Sequence, residues 1–132
     1  MASIFTKIVK GDIPAHKVAE DENHLAFLDI NPLTEGHSLV IPKKEVDYIF
    51  DLSDEEYLDL QAFAKKVASA IQQSTDCVRI GTAVIGLEVP HAHIHLIPIN
   101  EMDDMNFSRP KLSFTNEELA TTAAKIKATF DS

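Results

Sequence analysis

Three of the six histidines in this 132-residue chain fall at alternate positions in the run Pro90-His91-Ala92-His93-Ile94-His95-Leu96-Ile97-Pro98. Alternation with apolar residues is the period of a half-buried strand. It puts the imidazoles of His91, His93 and His95 on one face and Ala92, Ile94 and Leu96 on the other. Neutral imidazole is a metal ligand, a nucleophile and, with an unperturbed pKa of about 6.5, an acid-base catalyst. A shared metal needs further ligands from elsewhere, because the outer rings of such a row stand about 13 Å apart along an extended strand. A nucleophile needs less: the central ring attacks while its neighbours donate hydrogen bonds to the charge that develops. Imidazole attack on phosphorus gives a labile phosphoramidate, so the row suits transfer of a phosphoryl or nucleotidyl group. The metal reading stays open at this point.

The elements that must carry these rings can be read from turn and cap signals. Gly86 to Pro90 is a turn into the histidine strand, and Pro98 marks that strand's end or a sheet edge. Ser3 as N-cap and Gly11 just past the end bracket a short helix with Ile4, Phe5 and Ile8 on one face, for core packing or for lining a pocket. Lys17 to Glu20 and His24 to Asp29 form a hairpin around Asp21-Glu22-Asn23. A loop through Asn31-Pro32 and Gly36 leads to a strand from His37 to Pro42, with His37 at its entry facing the same site. Ser53 and Glu56 make a capping box for a helix of about twenty residues ending near Ser74, with Leu58, Phe63, Val67, Ala70 and Ile71 on its apolar face. Cys77 to Ile85 reads as a strand and Asn100 to Ser113 as a polar loop. Thr115 with Glu118 opens a last helix reaching about Phe130. The sum is an α+β domain over residues 1–132, with a mostly antiparallel five-stranded sheet, a long central helix and a C-terminal helix, the helices gathered on one side.

Composition narrows the chemistry. The formal charge of −9 argues against nucleic-acid binding, which rests on many Lys and Arg contacts, but leaves small anionic ligands open. No apolar run approaches a membrane span, and the stretch from Met1 to Lys7 shows no secretory signal. The single cysteine, Cys77, excludes an internal disulfide, is expected to be buried, and fits a cytoplasmic location.

The run His91-Ala92-His93-Ile94-His95-Leu96-Ile97 resembles the signature of the histidine triad (HIT) superfamily of nucleotide hydrolases and transferases, in its Hint-like nucleotide-binding branch. The likeness extends to Ile4-Phe5-Thr6-Lys7-Ile8, Ile13-Pro14, Glu20-Asp21, Ala26 to Pro32 and Gly36 to Lys43. It implies His93 as a nucleophile toward the α-phosphorus of a nucleoside phosphate derivative, with a nucleotidyl-histidine that water then hydrolyses. His95 would contact the phosphate oxygens, and His91 and His37 would complete the cluster. Asp29 would hold the ribose hydroxyls, and Ile4, Phe5, Ile8, Phe27, Ile30 and Leu39 would wall the base, a purine. Phosphoramidates, adenylated amines and dinucleoside polyphosphates are the implied substrates, and a homodimer the implied assembly.

Leu87 stands where the family usually has Gln, and Glu88 where it has Ser or Thr. A carboxylate beside a phosphate is repulsive unless protonated or turned away, so Glu88 either acts toward the leaving group or points into solvent. The family's optional N-terminal zinc cysteines are absent, so no structural metal and no cofactor are expected. The alternatives are a metal-dependent hydrolase using two of the row with a carboxylate such as Glu88, and a non-catalytic nucleotide-binding module.

Overall fold

The computed structural model describes residues 2–132; Met1, the first residue of the stretch read for a secretory signal, lies outside them. Five strands form one antiparallel sheet: β1 (Lys17–Glu20), β2 (His24–Leu28), β3 (Ser38–Pro42), β4 (Arg79–Ala83) and β5 (Ile94–Ile99), in the order β1-β2-β3-β5-β4. Three helices accompany them, α1 (Ile4–Val9), α2 (Asp54–Ser74) and α3 (Asn116–Asp131). Among the described residues, no helix is long and apolar enough to cross a membrane.

The cap signals act where the sequence places them. Ser3 Oγ accepts the Thr6 N–H, and Gly11 takes a φ of +83° just beyond α1. Ser53 with Glu56 and Thr115 with Glu118 each form a reciprocal capping box, satisfying N–H groups that a helix start leaves without partners. In the β1-β2 turn, Asp21 Oδ1 accepts from the N–H groups of Asn23 and His24.

Side chains alternate across the sheet, and each face is buried against something different. Ala26, Leu28, Val40, Ile94 and Leu96 point to one side, where Leu60, Phe63, Val67 and Ile71 of α2 and Leu119, Ala123 and Ile126 of α3 cover them. Leu25, Phe27, Leu39 and Ile41 point to the other and pack on Phe5 and Ile8 of α1. His95 pairs with Leu39 across β3 and β5, so it belongs to this second face.

Several expectations need correcting. The helices do not gather on one side: α2 and α3 cover one face and α1 the other, because β2 and β3 are buried throughout and their second face must also leave water. The histidine strand begins at Ile94, so His91 and His93 precede it, and β5 is an inner strand between β3 and β4. Pro98 is tolerated one residue from its end, beyond the Ser38–Leu96 pair where β3 stops. Leu58 is exposed and Leu60 takes its place in the buried stripe of α2. β4 is shorter than the Cys77 to Ile85 run, and Cys77 is half-buried beside Thr75 and not enclosed.

Candidate active site

A pocket of about 530 Å³ opens on the α1 side of the sheet. That size suits a small-molecule ligand. It collects side chains from every part of the chain that the sequence singled out. Ile4, Phe5 and Ile8 come from α1, Phe27, Asp29 and Ile30 from the end of β2, His37 and Leu39 from the start of β3, Glu88 from the β4-β5 loop, His93 from the approach to β5 and His95 from β5 itself. Of the predicted site residues only His91 is not on the pocket wall; its ring is fully buried behind it. Ile30 and Ile4 serve at the rim, both largely exposed, while Phe5 and Ile8 serve pocket and core together. The Phe5 ring stands edge-on to Phe27 at 5.4 Å and to His93 at 5.1 Å between centroids.

Backbone partners fix the tautomer of each ring. A carbonyl can only accept and a backbone N–H can only donate, so one such contact decides where a neutral imidazole keeps its proton. His93 Nδ1 lies 2.7 Å from the carbonyl oxygen of His91 and therefore donates, leaving Nε2 with the lone pair. His91 Nε2 donates to the Pro42 carbonyl at 2.7 Å, so its Nδ1 accepts, from Ser3 Oγ at 2.8 Å. The Leu33 N–H donates to His37 Nδ1 at 3.0 Å, and His37 Nε2–H in turn donates to His95 Nδ1 at 2.9 Å. Neutral His95 then carries its proton on Nε2. One ring thus offers a lone pair and its neighbour, 5.1 Å away between centroids, offers an N–H.

Burial favours the neutral form of His37, His95 and His91. Desolvation pushes His37 down to about 3, helped by repulsion from His95 and Lys111, and pushes His95 down to about 4, helped by repulsion from His93. His91 is lowered as well, again first by desolvation, with the Pro42 and Glu45 contacts opposing. Asp29 is raised by desolvation, against the Asn31 N–H that its Oδ1 accepts and the nearby charge of Lys111.

Among the lining residues not expected at the site, two bear directly on its chemistry. Phe107 stands edge-on to His95, 5.1 Å between ring centroids, and Lys111 is the one lysine or arginine lining the pocket among the described residues. Both lie in the polar, acidic loop from Asn100 to Ser113. Arg109 pins it through the Leu33 carbonyl and Asp103 and Asp104, and the Leu112 N–H donates to the Pro32 carbonyl. An aromatic and a lysine five residues apart in an acidic stretch were the only trace of this. Leu87 and Glu88 are both exposed at the rim, and the Glu88 charge is felt by Asp29.

Asp29, His37 and His95 offer three ligand atoms within 4.8 Å of one another, close enough for one divalent ion. The donors do not fit that use. The Leu33 N–H occupies the His37 Nδ1 lone pair, so the other nitrogen bears a proton and has no pair to give. Glu88, offered in the sequence reading as a carboxylate ligand, is not in this group.

A HIT domain family model matches residues 10–102. The adenosine 5'-monophosphoramidase of Schizosaccharomyces pombe is 38% identical over 130 residues, covering 97% of this chain and 98% of its own. A HIT-like protein of Bartonella henselae, described as involved in cell-cycle regulation, superposes with a TM-score of 0.84 at 30% identity, covering 96% of this chain and 95% of its own. A zinc-bound histidine triad family protein of Mycobacterium smegmatis superposes with a TM-score of 0.81 at 28% identity, covering 99% and 94%. Matched over most of its length in both sequence and fold, the chain belongs to the HIT family.

Proposed function

We propose that the protein is a nucleotide hydrolase or transferase that cleaves purine nucleoside phosphoramidates at the α-phosphorus through a covalent intermediate on His93, with dinucleoside polyphosphates as a second substrate class. The observation that carries this reading is the His93 tautomer, with Nδ1–H spent on the His91 carbonyl and Nε2 left as an unprotonated nucleophile in a ligand-sized pocket. Nε2 attacks phosphorus, a P–N(His93) bond forms, and the bond to the leaving amine breaks with its electron pair, which takes up a proton. Water then attacks the same phosphorus, and the nucleoside monophosphate leaves with Nε2 restored.

The surrounding groups have matching tasks. His95 stays neutral with its N–H on Nε2, a donor for a non-bridging phosphate oxygen whose charge grows in the transition state. Asp29 is oriented by the Asn31 N–H to accept from ribose hydroxyls, and Phe5, Phe27, Ile30 and Leu39 form the apolar slot for the base. The name of the S. pombe relative favours adenosine phosphoramidate among the candidates. A homodimer joined along the free edge of β4 belongs to the same reading.

The test is trapping. Adenosine phosphoramidate labelled at phosphorus, quenched during turnover, is expected to leave acid-labile label on the protein and none on a His93→Ala variant. Label on that variant, or turnover abolished by chelator in the unaltered protein, would refute the proposal.

A further inference from the structure

Behind the pocket, three distant parts of the chain meet at one buried ring. Ser3 Oγ donates to His91 Nδ1 at 2.8 Å while accepting the Thr6 N–H at 3.0 Å. Glu45 Oε1 accepts both the Ser3 N–H, at 2.7 Å, and the Thr6 hydroxyl, at 2.6 Å. On the other side of the ring, His91 Nε2 donates to the Pro42 carbonyl at 2.7 Å, and the Ala92 N–H donates to the Val46 carbonyl at 2.7 Å. The loop from Pro42 to Val46 therefore holds the start of α1 with one carboxylate and the approach to β5 with two carbonyls. The His91 carbonyl that emerges from this clamp is the acceptor of His93 Nδ1–H. These contacts also keep the Glu45 carboxyl at about 2, the Ser3 N–H contributing most, so it stays charged under any working condition.

We propose that Ser3, tethered by Glu45, is a positioning residue for the nucleophile: its hydroxyl proton satisfies His91 Nδ1 and thereby holds the His91 carbonyl on the Nδ1–H of His93. The inference rests on the reading of His93 as nucleophile. It differs from an ordinary helix-cap role, because a cap needs only an acceptor for the Thr6 N–H, or even glycine at slight cost, whereas His91 needs a donor. Thr6 Oγ1, 3.4 Å from His91 Nδ1, already gives its proton to Glu45. Loss of the Ser3 hydroxyl thus leaves a buried ring nitrogen without a partner, and the ring turns to find one. The same clamp aligns α1, whose Phe5 meets His93, so pocket wall and nucleophile are set from one point.

Ser3→Gly separates the two roles, since glycine is a tolerable cap even without the Thr6 N–H acceptor, whereas nothing in it replaces the donor to His91. It is expected to lower kcat about tenfold with KM little changed, as misalignment of a reacting group does. It is also expected to cost the slowly exchanging His93 Nδ1 proton in long-range proton-nitrogen spectra of the imidazoles. Ser3→Thr, which restores the hydroxyl, is expected to recover both. Glu45→Gln, altered only at an exposed carboxylate, is the second arm and is expected to shift the His91 ring nitrogens. An unchanged kcat in Ser3→Gly, a His93 proton signal that survives it, or an unmoved spectrum in Glu45→Gln would overturn the proposal. If the unaltered protein turned over no nucleotide, the function proposed above would fall, while the imidazole spectra would still decide this inference.

Discussion

Two neutral histidines, His37 buried and His95 half-buried, make the fold sensitive to mild acid, in a window where few carboxylates titrate. His37 and His95 are held down to about 3 and about 4. In the unfolded chain each returns to about 6.5. A group whose folded pKa is depressed takes up its proton first in the unfolded state, so stability falls as pH drops through the unfolded value and stops falling only at the folded one. From pH 7 to pH 5, the loss is about 2 kcal/mol for each ring and about 4 for the pair. That is a large share of the ~5–15 kcal/mol by which a domain of this kind is stable. The physical cause in His37 is visible: beyond its burial, its Nδ1 already accepts the Leu33 N–H, and a proton there would set one donor against another. Asp29, with a raised pKa, works in the opposite sense, gaining relief as pH falls through its folded value. Glu45 and Glu56, both lowered to about 2, lose their contribution only below about pH 4.5, outside the window. Urea unfolding at pH 7, 6 and 5 measures the slope directly, and His37→Gln is expected to remove about half of it. A flat stability across this range, or a full slope retained in His37→Gln, would refute the assignment of His37 and His95 as neutral rings, and with it the His95 Nε2–H offered to a phosphate oxygen.

Other outcomes follow from single residues. Lys111→Met is expected to reduce kcat/KM about tenfold, because it removes the one lysine or arginine on the pocket wall among the described residues, against an anionic substrate; steady-state kinetics at two salt concentrations checks it. Glu88→Gln is expected to alter the ranking of cationic against anionic leaving groups, and an unchanged ranking across a substrate panel would return Glu88 to the solvent. Gly36→Ala is expected to cost about 1–3 kcal/mol in thermal or urea unfolding. Gly36 has a φ of +96°, and an added Cβ would sit 3.0 Å from Thr75 Cγ2, one residue before His37.

Local signals were legible in the sequence wherever one residue type answers one local need. Ser3, Ser53 and Thr115 cap their helices because a helix start needs an acceptor a few bonds away. The five strands followed from apolar runs bounded by turn residues, with alternation only in the histidine row, whose apolar side, Ala92, Ile94 and Leu96, is buried. The motif and its flanking segments also point to the HIT family on residue identity alone. Tertiary structure alone decided what lies across from what. The three histidines do not stand in a row on one strand, because the chain enters β5 only at Ile94 and the clamp at Pro42 and Val46 pulls His91 inward. Lys111 and Phe107 reach the pocket only because Arg109 and Leu112 tie their loop to Leu33 and Pro32, some eighty residues earlier. The proton on each ring was equally out of reach, since a histidine's tautomer is set by the group facing it in space and side-chain identity says nothing about that partner.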